Sequence, residues 1–460
     1  MRLRPIKPAA FCGQAESVAL LRKDTPKGLT PTVMSESQAR QLLSNPVLLR
    51  EVPEIKNVSD CPVLIKGDSG LEIVTGYNRK SKVFAEGTSP AEVDCNQAFK
   101  LIIGLLSDFK FTSEFDQSRA VALLLSPALL HGGLIVGRAP MFVIEGDQPG
   151  VGKGTLANIV AAVYNAKFTN ITRRRGGVGS FDESIGAALD AGRGMILFDN
   201  FRGKFDSQFA ESLLTEPNVQ IRLPYRGSFD VDVTRNLFVL TSNGIEMTDD
   251  LARRVMVIDI EKQPEDYQFK HDDIVRHVKQ DQPLYLGAVF ALIKHWYAEG
   301  ARKSAATMPS YTAWLRCVDY IITNYLFLSS VLTGNQETLS RMANPALSWL
   351  REVALYMIKY EVFHDLSAMT ICNEIDGVLP IPGLPDGEML TDDNAKKAAS
   401  ATGMCLKKAF GENDVVRFGD VQVTRLKHWN HMHNEMKSYR FTRSAEDNDA
   451  NTAEAGLDFV

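Results

Sequence analysis

Ten consecutive residues have the makings of an anion site: Gly146-Asp147-Gln148-Pro149-Gly150-Val151-Gly152-Lys153-Gly154-Thr155. They follow the apolar run Met141-Phe142-Val143-Ile144-Glu145 and precede a segment with Leu156, Ile159, Val160 and Val163 at helical spacing. Strand, glycine loop, lysine and helix together are what phosphate binding requires. Loop N–H groups and a helix N-terminus converge on the anion, and Lys153 adds a point charge near the β and γ oxygens. Two positions depart from the strict Walker A pattern. Asp147 stands where the first glycine is expected, and Gly154 stands where Ser or Thr should follow the lysine, so Thr155 becomes the hydroxyl expected to meet Mg2+. A second apolar run, Met195-Ile196-Leu197-Phe198, ends in Asp199-Asn200. At that distance along the chain Asp199 is the carboxylate expected to hold Mg2+ through water. Asn200 can position a water but cannot take its proton, so the base is sought elsewhere. Glu183, early in a helix expected over Phe181 to Leu189, is the candidate. An acidic residue in a first turn serves the helix dipole equally well.

These loops need a sheet to carry them. Between Arg138 and Ile260 apolar strand runs alternate with helical patterns, which predicts a mostly parallel sheet covered on both faces. At 460 residues the chain has room for about three units around such a sheet. Residues 1–45 mix Pro, Lys, Ser and Thr with little periodicity and read as a flexible leader. Residues 46–130 read as an N-terminal domain, with a hairpin from Pro62–Ile65 to Leu71–Val74 and helices over Ala98–Leu106 and Ser118–Leu130. The sheet domain spans 131–283 and a helical domain 284–348; the all-helical pattern continues to about Tyr360, with Trp296, Trp314 and Trp349 as core anchors. A further unit follows over 349–443, and an acidic tail, 444–460, is expected to be disordered.

Composition narrows the class. A hydrophobic share of 45% with 23% charged residues suits a soluble globular chain, and a net charge of −5 excludes a uniformly basic nucleic-acid coat. Nucleic acid must therefore be met by local patches. Six scattered cysteines without a CxxC pair speak against a zinc site and a disulfide framework. The chain has neither a membrane-length apolar run nor a signal-peptide core, so a cytoplasmic location is expected.

Three segments qualify as patches. The run from Val219 to Val233 alternates on both sides of Tyr225-Arg226-Gly227-Ser228 and reads as a hairpin. Tyr225 offers a stacking surface and Arg226 a phosphate contact, the two elements of sequence-independent strand binding, although an exposed hairpin needs neither role. Arg173-Arg174-Arg175 forms a basic loop that suits DNA, nucleotide or plain solvent. Residues 349–443 read as a winged helix. Helices over Leu350–Val362, Ser367–Gly377 and Asp392–Phe410 are followed by strands Asp414–Phe418 and Val421–Leu426, with Gly419-Asp420 as the wing turn. The last helix carries Lys396, Lys397, Lys407 and Lys408, and residues 394–443 hold ten Lys or Arg against four Asp or Glu. Such a footprint fits duplex DNA or a protein partner.

A third apolar run, Leu237 to Leu240, leads into Thr241-Ser242-Asn243-Gly244, and Asp249-Asp250-Leu251-Ala252-Arg253-Arg254 precedes the final run Val255–Ile260. Taken in order, these motifs resemble AAA+ ATPases, and among them the self-loading replicative helicases of phages and mobile elements, related to MCM and superfamily 3 helicases. The resemblance covers roughly residues 60–443 and is specific over the sheet domain. It implies an α/β fold: an AAA+ P-loop NTPase domain with a small β-containing N-terminal domain and an α-helical plus winged-helix C-terminal region. It implies ATP and Mg2+ as cofactors, single-stranded or duplex DNA as partner, and a homo-oligomer in the form of a hexameric ring. Asn243 then matches sensor 1, Arg253 and Arg254 the arginine finger reaching into a neighbouring subunit, and the Tyr225-Arg226 hairpin the one that grips DNA in the channel. The arginines serve equally as salt-bridge partners of Asp249 or Asp250. Two other classes stay open: a nucleoside monophosphate kinase, because the loop's ending also resembles adenylate kinase, and an AAA+ switch or scaffold that does not unwind.

Overall fold

The computed structural model describes residues 6–55, 57–146, 150–171, 181–205, 207–223, 227–334, 345–385, 388–418, 421–429 and 435–443. Two compact units emerge, one of residues 1–200, 212–241 and 258–331, the other of 201–211, 242–257 and 332–460.

The segment read as a flexible leader carries regular structure. In the first unit α1 (Pro8–Val18), the hairpin β1 (Arg22–Thr25) and β2 (Gly28–Pro31), α2 (Glu36–Leu43) and α3 (Pro46–Glu51) occupy it. Caps rather than periodicity define these elements: Ser35 and Gln38 form a capping box on α2, and the Asn45 side chain accepts from Val47 N at the start of α3. The next strands are β3 (Asn57–Ser59), β4 (Val63–Lys66), β5 (Leu71–Val74), β6 (Gly76–Asn78) and β7 (Val83–Ala85). β4 and β5 form the hairpin read from the sequence, with Val63 opposite Val74, while β7 pairs parallel with β3 and antiparallel with β6.

α4 (Cys95–Leu106) and the short β8 (Lys110–Phe111) lead to α5 (Glu114–His131). α5 is buried on nearly every face, as a helix apolar all round must be. An ion pair within it is fully enclosed. Arg119 Nη1 lies 3.2 Å from Asp116 Oδ1 and its Nε donates to Val331 O at 3.0 Å, while Asp116 also accepts from Asp259 N at 3.2 Å. Burial outweighs these partners and raises the Asp116 carboxyl above its usual value. At the other end of α5, His131 is buried edge-on to Tyr164, and its Nε2 finds no hydrogen-bond partner among the described residues. Burial, with the Arg235 charge behind it, pushes His131 down to about 4.

The central sheet follows: β9 (Met141–Gly146), α6 (Lys153–Val163), β10 (Thr169–Ile171), α7 (Phe181–Asp190), β11 (Met195–Phe205), α8 (Gln208–Thr215), the hairpin β12 (Asn218–Leu223) and β13 (Gly227–Asp232), β14 (Leu237–Met247), α9 (Asp249–Ala252) and β15 (Val255–Glu261). Strand order is β10-β11-β14-β9-β15-β8. β10 runs parallel to β11, and β8 closes the other edge antiparallel to β15. The fold is thus a mixed α/β sheet. Phe142, Val143 and Ile144 in β9 are fully buried, the continuous apolar run that a strand covered on both faces needs. β11 and β14 run further than the apolar runs suggest, because both continue beyond Asp199 and Leu240. Helices α10 (Ile274–Gln280), α11 (Gln282–Ala298) and α12 (Thr312–Tyr325) belong to the first unit, whereas residues 201–211 and 242–257 of the preceding run, α9 among them, belong to the second. Trp314 packs edge-on to Phe142 and donates Nε1 to Ser126 Oγ at 2.9 Å.

The second unit holds α13 (Pro345–Lys359), α14 (Ala368–Ile375), α15 (Ala395–Phe410), β16 (Val415–Phe418), β17 (Val421–Trp429) and β18 (Glu435–Arg443). Leu350, Val353, Ile371, Leu406, Phe410 and Phe441 are central to its core. The expected two-stranded wing is a three-stranded antiparallel sheet, β16-β17-β18, in which β17 and β18 pair over nine residues from Val421–Arg443 to Trp429–Glu435. Leu366 bridges to Tyr439, and Arg440 forks onto Asp365 at 2.6 and 3.0 Å, which holds that carboxyl below its usual range. The wing turn Gly419-Asp420 and the tail from residue 444 lie outside the described residues. No helix among the described residues is long and apolar enough to cross a membrane.

Candidate functional site

The glycine loop is built from backbone constraints. Gly150 and Gly152 take φ of +85° and +102°, a region where side-chain-bearing residues meet a steric penalty. Gly152 is the N-cap of α6, so Lys153 opens the helix. Two close approaches leave little room for a side chain: a Cβ on Gly146 would lie 2.4 Å from Val151 Cγ2 and 3.1 Å from Lys153 Nζ, and one on Gly152 would lie 3.1 Å from the Phe109 ring. The Lys153 ammonium therefore folds back over the end of β9. A Cβ on Gly154 would meet no described atom within 4 Å, and Thr155, one position further, is half-buried. Asp147, Gln148 and Pro149 lie outside the described residues.

β14 stands between β9 and β11 in the sheet, so its residues separate the loop from Asp199. Thr241 is the buried residue at this junction. Its Oγ1 donates to Asp199 Oδ1 at 2.8 Å and accepts from Asn200 N at 2.8 Å. One hydroxyl has a single hydrogen, and the Asn200 N–H must be accepted, so that hydrogen is committed to the carboxylate. Asn200 itself sits at φ +50°, a left-handed conformation that Asn tolerates far better than Glu. The Asn200 identity thus has a backbone reason that the sequence did not disclose. Nor did the sequence single out Thr241, because its partners are more than forty positions away. Glu183 lies in the first turn of α7 and is half-buried. α7 packs against β10 and β12.

In the second unit, Ser242 Oγ donates to Phe201 O at 2.9 Å and Asn243 is half-buried. Arg253 and Arg254 both pair with Asp250. Arg254 Nη2 lies 2.8 Å from Asp250 Oδ2, and its Nε donates to Asp250 O at 2.8 Å. Arg254, the residue expected to project toward a neighbour, is only 13% exposed and is tied into its own turn, whereas Arg253 is 67% exposed.

The nucleic-acid candidates separate in the same way. β12 and β13 form the expected hairpin, with Gln220 opposite Asp230, but Tyr225 and Arg226 at its tip lie outside the described residues, as do Arg173 to Arg175. In α15, Lys396, Lys397, Lys407 and Lys408 lie outside the buried face, while Ala398, Thr402, Leu406 and Phe410 face the core. The helix contains no acidic residue. Other cations of this region have structural roles: Arg425 is buried over the Phe410 ring and bonds Asp414, whose carboxyl it holds below the usual range.

Among the described residues no group of three or more His, Cys, Asp or Glu gathers to hold a metal. Mg2+ needs no such cage. It takes one or two protein oxygens beside phosphate and water, a donor set of the kind that one hydroxyl and one carboxylate supply.

No protein-family model and no curated protein matches the chain. Among solved structures, the A-form apo structure of the NrS-1 C-terminal region is similar over 91% of this chain and 93% of that chain, at 11% identity and a TM-score of 0.34. A second A-form apo structure of that region matches 95% of this chain and 100% of that one, at 11% identity and 0.36. A JCV helicase bound to an N-aryl acetamide compound matches over 53% of this chain and 63% of that chain, at 14% identity and a TM-score of 0.28. At these scores the likeness is coarse, and the chain's own residues carry the functional inference.

Proposed function

We propose that the chain is an ATP-dependent DNA helicase or translocase of AAA+ type that acts in replication of a phage or mobile element as a hexameric ring. The observation that carries this reading is the Thr241 bridge, which fixes Asp199 on the strand next but one to the lysine loop. Lys153 and the α6 N-terminus hold the triphosphate, and Thr155 and Asp199 hold Mg2+, which supplies charge neutralisation on the β and γ oxygens when bound. Asn200 and Asn243 orient the attacking water, Glu183 accepts its proton, and Arg253 or Arg254 of the adjacent subunit stabilises charge on the transferred group. The lysines of α15 meet the DNA backbone, and Tyr225 with Arg226 grips the single strand.

One observation favours a second reading. With Arg254 tied to Asp250 and an amide at position 200, the same site suits an ATP-binding switch that assembles without unwinding. ATPase rate with and without DNA, measured beside strand displacement on a forked substrate, separates the readings, with Lys153→Ala as control. A DNA-stimulated rate coupled to displacement is expected. ATP binding without either result selects the switch, and phosphate transfer to AMP selects a nucleoside monophosphate kinase.

A further inference from the structure

The turn between α4 and β8 reaches the glycine loop from the flank away from Asp199. In the strand order β14 and β11 stand on one side of β9, and β15 with β8 on the other. Phe109, the residue before β8, puts Cε1 and Cδ1 of its ring 3.1 and 3.5 Å from where a Cβ on Gly152 would stand, and is only half-buried. The segment after β15 hooks over the same turn. Asp108 is buried and accepts from Tyr267 Oη at 3.1 Å and from Lys270 N at 3.0 Å, while Gln263 Nε2 donates to Asp108 O at 2.9 Å. Ser107 Oγ donates to Gly104 O at 2.7 Å and accepts from Lys270 Nζ at 2.6 Å. Ser107 and Asp108, the two side chains of the turn able to hydrogen-bond a base edge, are therefore committed to the turn and its hook. The side chain that the turn lays against the loop is an aromatic ring.

We infer that Phe109 is the platform on which the base of the bound nucleotide stacks, and that the site accepts nucleoside triphosphates of all four bases instead of reading adenine. This rests on the triphosphate reading of Lys153 and Asp199 and adds to it the class of substrate. A triphosphate whose γ end meets Mg2+ at Asp199 runs back across the loop. Its nucleoside leaves on the β15–β8 flank, where Phe109 stands beside the N-cap of α6. Every base has a π face, so a ring holds purine and pyrimidine alike. Discrimination by orders of magnitude comes instead from buried groups that hydrogen-bond a substrate's polar edge, and in this turn those groups are spent on one another.

The test is calorimetric titration of ATP, GTP, CTP, UTP and inorganic tripolyphosphate, each with Mg2+, into full-length wild type, Phe109→Leu, Phe109→Trp and Lys153→Ala. The four nucleotides should bind wild type within roughly 10-fold of one another. Phe109→Leu keeps apolar bulk beside Gly152 and removes the aromatic face. It should weaken all four nucleotides by roughly 5-fold or more and leave tripolyphosphate unchanged, and Phe109→Trp should restore nucleotide binding. Lys153→Ala should weaken tripolyphosphate and nucleotides alike. ATP bound roughly 100-fold or more tighter than CTP and UTP would overturn the inference. So would Phe109→Leu protein that binds all four like wild type, or that loses tripolyphosphate as steeply as ATP, the mark of a ring that only supports the loop. Wild type that takes up none of the five ligands sinks the triphosphate reading itself, and this inference with it.

Discussion

The Asp199 edge of the central sheet and the α15 face of the C-terminal unit both display chemistry-bearing residues, but they hold them differently. At the sheet edge the groups are committed to one another: Thr241 to Asp199 and Asn200, glycines to positive φ, Gly146 to the space below Lys153. On α15 the lysines stand toward solvent on a helix whose other face is packed. A preorganised, partly buried site concentrates its energy in few groups, whereas an exposed charged face spreads it over many. Single substitutions should therefore be severe in the first region and graded in the second.

The largest effect is expected from Asp199→Ala. With the metal carboxylate gone, turnover should fall by roughly 1,000-fold or more while nucleotide still binds, as measured by steady-state phosphate release beside nucleotide titration. Thr241→Val tests the bridge itself. Losing one hydrogen bond to a charged group costs about 1.5–3 kcal/mol, or roughly 10- to 100-fold in rate. The magnesium concentration for half-maximal nucleotide binding should rise with it, and Thr241→Ser should restore both. An unchanged magnesium dependence in Thr241→Val would place the residue in the core and not in the site.

On α15, replacing Lys396, Lys397, Lys407 or Lys408 singly by Gln should weaken DNA binding modestly and equally across sequences. Each change should lower the logarithmic salt slope by about one for every phosphate left without its cation. A single lysine that abolished binding would break the comparison, since it would mark a preorganised site there too.

The remaining effect is one of stability and pH and leaves the sites untouched. His131 is held near 4 in the folded chain, below the value of about 6.5 usual for the unfolded one. Only the unfolded chain takes up that proton as pH falls between these values, so stability is complete above about pH 6.5 and declines toward pH 4. The loss is on the order of 3 kcal/mol. Urea unfolding at stepped pH should show a flatter profile for His131→Leu.

How much of this is legible in the sequence follows from the same contrast. The lysine loop can be read because strand, glycines and helix are contiguous, and Asp199 because an apolar strand run ends on it. Thr241 cannot, since it reaches partners more than forty positions away through strand pairing, and the φ of Asn200 has no signature in residue type alone. β18 escapes the sequence pattern because Glu435–Arg443 offers only Tyr439 and Phe441 as inward residues amid charged neighbours. Residues 1–45 show little periodicity in the sequence because the helices there are marked by caps, not by apolar spacing. Arg254 reads as a finger for a neighbour, and within the chain it also pairs with Asp250, four residues earlier.

The central claim is that Lys153 and Asp199 serve one magnesium–triphosphate pocket. Isothermal titration of ATP into the full-length protein, with and without Mg2+, for wild type and Lys153→Ala, tests it most directly. The account predicts saturable, magnesium-dependent binding that Lys153→Ala weakens at least ~100-fold. No heat of binding in wild type, or equal affinity in both proteins, would contradict it.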